Sequence, residues 1–250
     1  MELRPVEKVC KTVHGPGRTL VSRTWRGPER LKAVENKSWD ERLEEGAGRL
    51  GLVLPGGWAA QTARYRDELL RWNARVNLTA ITQEAEVAEK HFLDSLAAWP
   101  EVRGARSLLD VGAGAGFPGI PLKLAEPNLE VTLVDAVAKK VGFLKHVLAH
   151  LGVKGARALH LRVEGAPERE GLPRCERVIA RAFTDLDGWL ALAPAYLAEG
   201  GQVVAMLGRA PARAELDASA ARHGLRCLSD RRYALPYSGD PRAVAVFERA

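Results

Sequence analysis

From Ser38 onward the chain alternates between blocks of helical and of strand periodicity, after a stretch that has neither. Residues 1–37 carry no sustained apolar repeat, and Gly15, Pro16, Gly17, Gly27 and Pro28 interrupt both kinds of regular backbone, so a disordered basic extension is expected there. Ser38-Trp39-Asp40-Glu41 then has the form of a capping box, with a hydroxyl for a free amide and a carboxylate three residues on, and predicts a first helix to about Leu50. Ala59, Thr62, Tyr65, Leu69 and Trp72 recur at helical spacing and predict a second helix over 58–73. Val87, His91, Leu93 and Leu96 predict a third over 84–99. After Gly104 short apolar runs at 107–111, 130–135, 158–163, 177–183 and 202–207 alternate with helical stretches, the mark of parallel strand–helix–strand units with right-handed crossovers. The last runs, 225–235 and 243–248, are joined by Pro236-Tyr237-Ser238-Gly239-Asp240-Pro241 with no helix between them, which predicts a terminal antiparallel hairpin. The expected fold class is α/β: a doubly wound, mostly parallel Rossmann-like sheet over 105–250, ending in that hairpin, behind an N-terminal helical segment over 38–104.

At 250 residues and 46% hydrophobic composition, the chain can bury one substantial core. No apolar run approaches the roughly 18 residues of a membrane span, and charge occupies the N-terminal positions where a secretory apolar stretch would lie. A cytoplasmic monomer with no membrane association is expected. Cys10, Cys175 and Cys227 are odd in number, widely spaced and free of any Cys-x-x-Cys pairing, so they are expected to be reduced and structural, with no metal bound. The net charge of +6 changes this picture little, because residues 1–37 hold nine bases against four acids and the remainder is close to neutral. Such a segment either adds affinity for RNA phosphates or is simply a solvated extension.

The strongest local signal is Leu108-Leu109-Asp110-Val111-Gly112-Ala113-Gly114-Ala115-Gly116-Phe117-Pro118-Gly119, a buried strand opening into a glycine-rich loop and then a helix. Glycine permits positive φ and lets a ligand lie against bare backbone. Pro118 and Pro121 fall in the first turn of the helix, where a missing amide hydrogen costs nothing. Gly114-Ala115-Gly116-Phe117-Pro118-Gly119 matches the dinucleotide pattern G-x-G-x-x-G, which alone is weak evidence. Asp110 argues for another ligand: a carboxylate beside the loop repels a pyrophosphate but suits the ammonium of an amino-acid moiety. Asp135 closes the next strand, 19 residues beyond Gly116, where it can accept from ribose hydroxyls. Two acids flanking Gly112, Gly114 and Gly116 fit S-adenosylmethionine, and a class I methyltransferase is expected.

Several blocks together make the chain resemble one family, the RsmG (GidB) methyltransferases: Asn77-Leu78-Thr79-Ala80-Ile81, Lys90-His91-Phe92-Leu93-Asp94-Ser95-Leu96, the loop from Asp110 to Pro121, Val134-Asp135-Ala136 with Lys139-Lys140, Arg162-Val163-Glu164 and Arg181-Ala182-Phe183. The resemblance spans roughly 58–248. It implies methylation of guanine N7 in 16S ribosomal RNA, in the 530-loop region, with free RNA or the small ribosomal subunit as partner. It further implies that Gly112 and Phe117 contact the cofactor, that Val163 and Glu164 flank its adenine, and that Arg181 lies at the active site. The family pattern has a lysine-glycine pair at the end of the fifth core strand. Here the sequence reads Met206-Leu207-Gly208-Arg209, so Arg209 is the candidate for that charge.

The chemistry implied is consistent with the residues present. Where the fourth strand ends the sequence reads Arg181-Ala182-Phe183-Thr184, without the Asn/Asp-Pro-Pro-aromatic loop of exocyclic-amine methyltransferases or the cysteine of carbon-5 enzymes. Guanine N7 has a free lone pair and needs no general base. Arg181 suits guanine O6, a phosphate, the cofactor carboxylate or an ion pair at the sheet edge. Phe183 suits either base stacking or core packing, and His91 suits RNA contact, an approach to the cofactor pocket or a structural hydrogen bond facing the core. Lys139 and Lys140 open the helix after the second strand, where they either neutralise phosphates or form a solvated face. The competing functions are a methyltransferase for a small molecule or protein side chain, a dinucleotide-dependent oxidoreductase, and a non-catalytic RNA-binding protein.

Overall fold

The computed structural model describes residues 37–209 and 211–250, so the expected disordered extension lies, but for Lys37, outside the described residues. Helices α1 (Trp39–Arg49) and α2 (Trp58–Val76) come first. Ser38 caps α1 through its Oγ, which accepts from the Glu41 amide, while the Glu41 carboxylate accepts from the Ser38 amide. Helix α3 runs over 84–96 and contains a π-helical turn, Ala88–Leu93. It stops short of Trp99 because Pro100 cannot donate to the carbonyl four residues back and its ring would clash there. A short α4 (Trp99–Val102) follows.

The sheet is built from β1 (Ser107–Val111), β2 (Glu130–Asp135), β3 (Ala156–His160), β4 (Cys175–Arg181), β5 (Leu197–Leu207), β6 (Leu225–Ala234) and β7 (Pro241–Arg249), in the order β3-β2-β1-β4-β5-β7-β6. The first five are mutually parallel, while β7 pairs antiparallel with both β5 and β6. Helices α5 (Gly119–Ala125), α6 (Ala138–Leu151), α7 (Pro167–Glu170), α8 (Leu186–Leu192) and α9 (Arg213–Arg222) connect them. The order reverses beside β1, between β2 and β4, and this switch point is where an open α/β sheet leaves a crevice at the strands' C-terminal ends.

Two expected strands sit earlier than their apolar runs suggested. Strand β3 ends at His160 because its partner β2 ends at Asp135; Leu161 still donates its amide to Asp135 O at 3.1 Å, and Arg162 and Val163 then turn toward the crevice. Strand β4 ends at Arg181, paired with Met206, after which Ala182 adopts φ 52°, a left-handed conformation that swings Phe183 out of the strand direction. The hydrophobic core lies on both faces of the sheet. On one face Trp39, Trp58, Tyr65 and Phe92 of the N-terminal helices pack in one continuous cluster with Leu108, Leu133, Val204 and Val244 of the sheet. The N-terminal segment is therefore a layer of the same core. On the other face Trp189, Leu190 and Leu216 cover Val178, Val203 and Phe247. Cys175 and Cys227 are free and buried, while Cys10 lies outside the described residues. No helix among the described residues is long and apolar enough to cross a membrane.

Candidate functional site

The chain leaves β1 through a loop that needs three glycines. Gly112, Gly114 and Gly116 have φ of 71°, 59° and 96°. A Cβ on Gly112 would stand 2.6 Å from Phe183 Cδ2, and one on Gly116 would stand 2.3 Å from Tyr65 Oη and 2.6 Å from Ile120 Cδ1. The loop is held from several directions. The amides of Gly112 and Ala113 donate to Val134 O at 2.9 and 3.0 Å, and Asp135 accepts from the amides of Gly114 (2.9 Å) and Val137 (2.8 Å). From α2, the Tyr65 hydroxyl donates to Ala115 O and Trp58 Nε1 donates to Pro121 O at 3.0 Å. Phe117 is sandwiched between Tyr65 (5.3 Å) and His91 (4.6 Å), with Phe92 edge-on at 5.1 Å.

Asp110, expected to face a ligand ammonium, is fully buried and lines neither cavity beside the loop; its Oδ2 accepts from the Gly119 amide at 2.7 Å and so fixes the start of α5. Burial pushes its carboxyl up to about 7. Gly116 likewise sits behind the loop, against Tyr65 and Ile120.

Two cavities open on either side of this loop, and Gly112 lines both. The larger, about 690 Å³, is lined by Val134, Asp135, Arg162, Val163, Phe183 and Thr184. The smaller, about 430 Å³, is lined by Thr79, Lys90, His91, Asp94, Gly114, Phe117, Arg181, Tyr233 and Arg242. Phe183 covers Gly112 between them and meets Trp189 edge-on at 6.0 Å.

The smaller cavity is organised around Arg181, at the end of β4. Its Nη1 donates to Lys90 O at 2.8 Å and to Asp94 Oδ2 at 3.2 Å, and its guanidinium lies 5.4 Å from the Phe117 ring centre. The π turn of α3 brings the Lys90 carbonyl, the His91 ring and, just beyond it, Asp94 to the same cavity. His91 Nδ1 is 3.4 Å from Arg181 Nη2 and its Nε2 is 2.9 Å from Thr79 Oγ1. Burial, with the Arg181 charge adding to it, lowers its pKa to about 3, so the ring is neutral, accepts at Nδ1 and donates from Nε2 to Thr79. Asp94 Oδ1 accepts from the Tyr233 hydroxyl at 2.7 Å and lies 3.8 Å from Arg242 Nε.

Of the residues expected at a site, Gly112, Gly114, Phe117, Asp135, Val163, Arg181, His91 and Phe183 line one cavity or both. Others do not. Lys139 and Lys140 occupy the first turn of α6 and line neither cavity, and Glu164 is exposed, with only its amide engaged, by Glu170 Oε1 at 2.7 Å. Arg209 is mostly exposed and paired with Glu215 at 2.5 Å; the cation at that corner is Arg242, whose Nη1 is 3.4 Å from Gly208 O. Sequence reading missed Arg242 because the neighbour of β5 is β7, 34 residues further along the chain from Gly208. Asp94 and Tyr233 were missed for the same reason, that only the folded sheet brings α3 and β6 together.

The larger cavity suits an adenosyl group: Asp135 holds the loop yet has further lone pairs for ribose hydroxyls, Val163 offers an apolar wall, and the bare backbone of Gly112 leads into the second cavity. Two unequal chambers meet over a glycine loop at the switch point of this sheet, the layout of the class I methyltransferase fold. Among solved structures, glycopeptide N-methyltransferase MtfA complexed with S-adenosylmethionine shares the fold, with a TM-score of 0.51 and 13% identity over 63% of this chain and 94% of that one. The model of the family "rRNA small subunit methyltransferase G" matches residues 59–231. Two proteins named ribosomal RNA small subunit methyltransferase G are close relatives: that of Myxococcus xanthus is 57% identical over 86% of this chain and 100% of its own length, and that of Anaeromyxobacter dehalogenans 50% identical over 85% and 98%. The chain belongs to the rRNA small subunit methyltransferase G family.

Proposed function

We propose that this protein transfers a methyl group from S-adenosylmethionine to N7 of a guanine in 16S ribosomal RNA, in the 530-loop region, acting on the RNA or on the small subunit. Family membership supports ribosomal RNA as acceptor over a small molecule or a protein side chain. The observation that carries the guanine N7 reading is that every titratable group of the smaller cavity is already committed. His91 spends both ring nitrogens on Thr79 and Arg181, Asp94 spends its oxygens on Arg181 and Tyr233, and Lys90 is paired with Glu86 at 2.6 Å. Such a chamber can hold an acceptor but is poorly equipped to deprotonate one. Guanine N7 carries its lone pair at neutral pH and asks only to be held.

The bound cofactor would supply an electrophilic methyl group on a sulfonium. Asp135 and Val163 would hold its adenosine, and the Gly112-to-Gly114 backbone would guide its amino-acid end past Phe183 toward Arg181. Arg181 keeps guanidinium hydrogens beyond those given to Lys90, Asp94 and His91, and these suit guanine O6, the acceptor next to N7. Its pinning by α3 fixes where that acceptor lies, and positioning is the main source of acceleration in an in-line transfer. The transfer calls for no metal. We take it to act as a monomer, and an RNA substrate of this kind supports a cytoplasmic location.

The test is transfer from radiolabelled S-adenosylmethionine to small subunits that lack the modification. Label is expected as 7-methylguanine, abolished by Gly114→Asp and reduced at least about 100-fold by Arg181→Ala, in line with the loss of one charged positioning group. Label on an exocyclic amine, a pyrimidine carbon or protein would overturn the reading.

A further inference from the structure

On the outer side of the N-terminal layer, away from both cavities, helices α2 and α6 bring together Glu68, His146 and His150, the one grouping of three metal-ligating side chains among the described residues. We propose that these three form a site for a zinc-class divalent cation that clips α2 to α6. His146 and His150 are one helical turn apart and present their rings to the same side, with centres 6.0 Å apart. Glu68 faces them from the neighbouring helix. One potential ligand atom from each residue lies within 4.8 Å of the other two.

The distances already approach those of a loaded site. Bonds of about 2.1 Å in a tetrahedron place ligand atoms about 3.4 Å from one another. His146 Nε2 is 2.7 Å from Glu68 Oε2, His150 Nε2 is 3.8 Å from Glu68 Oε1, and one ligand atom from each of the three lies within 4.8 Å of the others, so a cation is admitted by shifts of about an ångström in rings that are about two-fifths exposed. Two imidazoles and one carboxylate are a donor set for zinc or its neighbours, not for calcium or magnesium, which take oxygen. The exposed side of the rings leaves a fourth position to water.

Glu68 is the unusual member, a carboxylate with a side chain only 3% exposed. Arg71 Nη1 donates to its Oε1 at 2.6 Å, which orients the carboxylate and leaves Oε2 toward His146, the outer-partner arrangement common around metal ligands. Arg71 is itself mostly exposed and free to move outward; the other nearby arginine, Arg64, donates to the backbone carbonyl of His150 at 2.6 Å. Tyr65, whose hydroxyl holds the glycine loop at Ala115, is one turn before Glu68 on α2. A cation here therefore reinforces the brace of the cofactor loop without entering the transfer itself.

The experiment is titration of the untagged full-length protein with zinc chloride and, separately, cobalt chloride. One zinc per chain, a cobalt absorption spectrum of four-coordinate nitrogen and oxygen ligation, and a rise in melting temperature on zinc addition are expected. In the His146→Gln/His150→Gln double variant, whose replaced rings are half-exposed, zinc affinity should fall at least tenfold and the melting shift should vanish. Glu68→Gln should weaken zinc while leaving the helical circular dichroism unchanged. Trp72, 5.0 Å from His146, adds an independent reporter, because bound cobalt should quench part of the tryptophan emission in the parent and not in the double variant. Absence of stoichiometric zinc binding, or equal binding by parent and double variant, overturns the proposal.

Discussion

The side chain absent at Gly112 has more effect on the site than most that are present. It holds a left-handed backbone and leaves room for Phe183, so Gly112→Ala meets two obstacles at once: about 1–2 kcal/mol of backbone strain and a methyl group 2.6 Å from a ring carbon. Calorimetry is expected to show cofactor binding weakened at least about tenfold, and Phe183→Ala in the same chain is expected to recover part of it by removing the clash but not the strain. Two buried titratable groups act on stability with opposite sign. Asp110, raised to about 7, contributes most below the ordinary carboxyl value of 3.8 and loses that contribution as pH rises through 7. His91, lowered to about 3, contributes fully above 6.5 and loses its contribution as pH falls toward 3. The stability of Asp110→Asn relative to the parent is therefore expected to increase from pH 4 to about pH 7 and to level off above it, read as the difference in melting temperature; a flat difference over pH 4 to 7 would contradict a raised Asp110. Residue types and spacing single out Gly112, Asp135 and Arg181, which line the two cavities. Asp110 lies behind the loop instead, because an acid next to a glycine loop reads the same whether it points at a ligand or back into the fold.

Among elements, those with local signals were legible and those defined by partners were not. The start of α1 follows from four residues, and Ser38→Ala should lower stability by about 1 kcal/mol in denaturant unfolding by removing the hydroxyl that accepts from the Glu41 amide. Strands β1 and β2 matched their apolar runs residue for residue, whereas β3 and β4 end where their neighbours end, information that no single run contains. The π turn of α3 also lacked a local mark. Its consequence is specific: Arg181 is held by a main-chain carbonyl and a carboxylate one turn apart on the same helix. Asp94→Asn should retain the fold, since the amide oxygen can still accept, but loosen Arg181 and release Tyr233. Methyl transfer at saturating cofactor should then fall by about tenfold, with little change in cofactor affinity.

For the molecule as a whole, the charge of +6 is concentrated toward the N-terminus, and the cavity mouth adds Lys90, Arg181 and Arg242. Affinity for the RNA substrate is expected to fall steeply with salt, while cofactor affinity changes little over the same range, a contrast that filter binding and calorimetry can measure side by side. The sequence divides into a helical segment over 38–104 and a sheet domain over 105–250, but the two share one hydrophobic cluster. Tyr65 of α2 hydrogen-bonds the glycine loop and stacks on Phe117 within one core, and Phe117 stacks in turn on the buried His91 of α3. That shared stack restricts what can be exchanged between related enzymes. A chimera that transplants residues 37–104 onto another methyltransferase core would carry half of an aromatic lock without its counterpart, so the helical layer cannot travel as a detachable cassette and has to be exchanged together with the glycine loop.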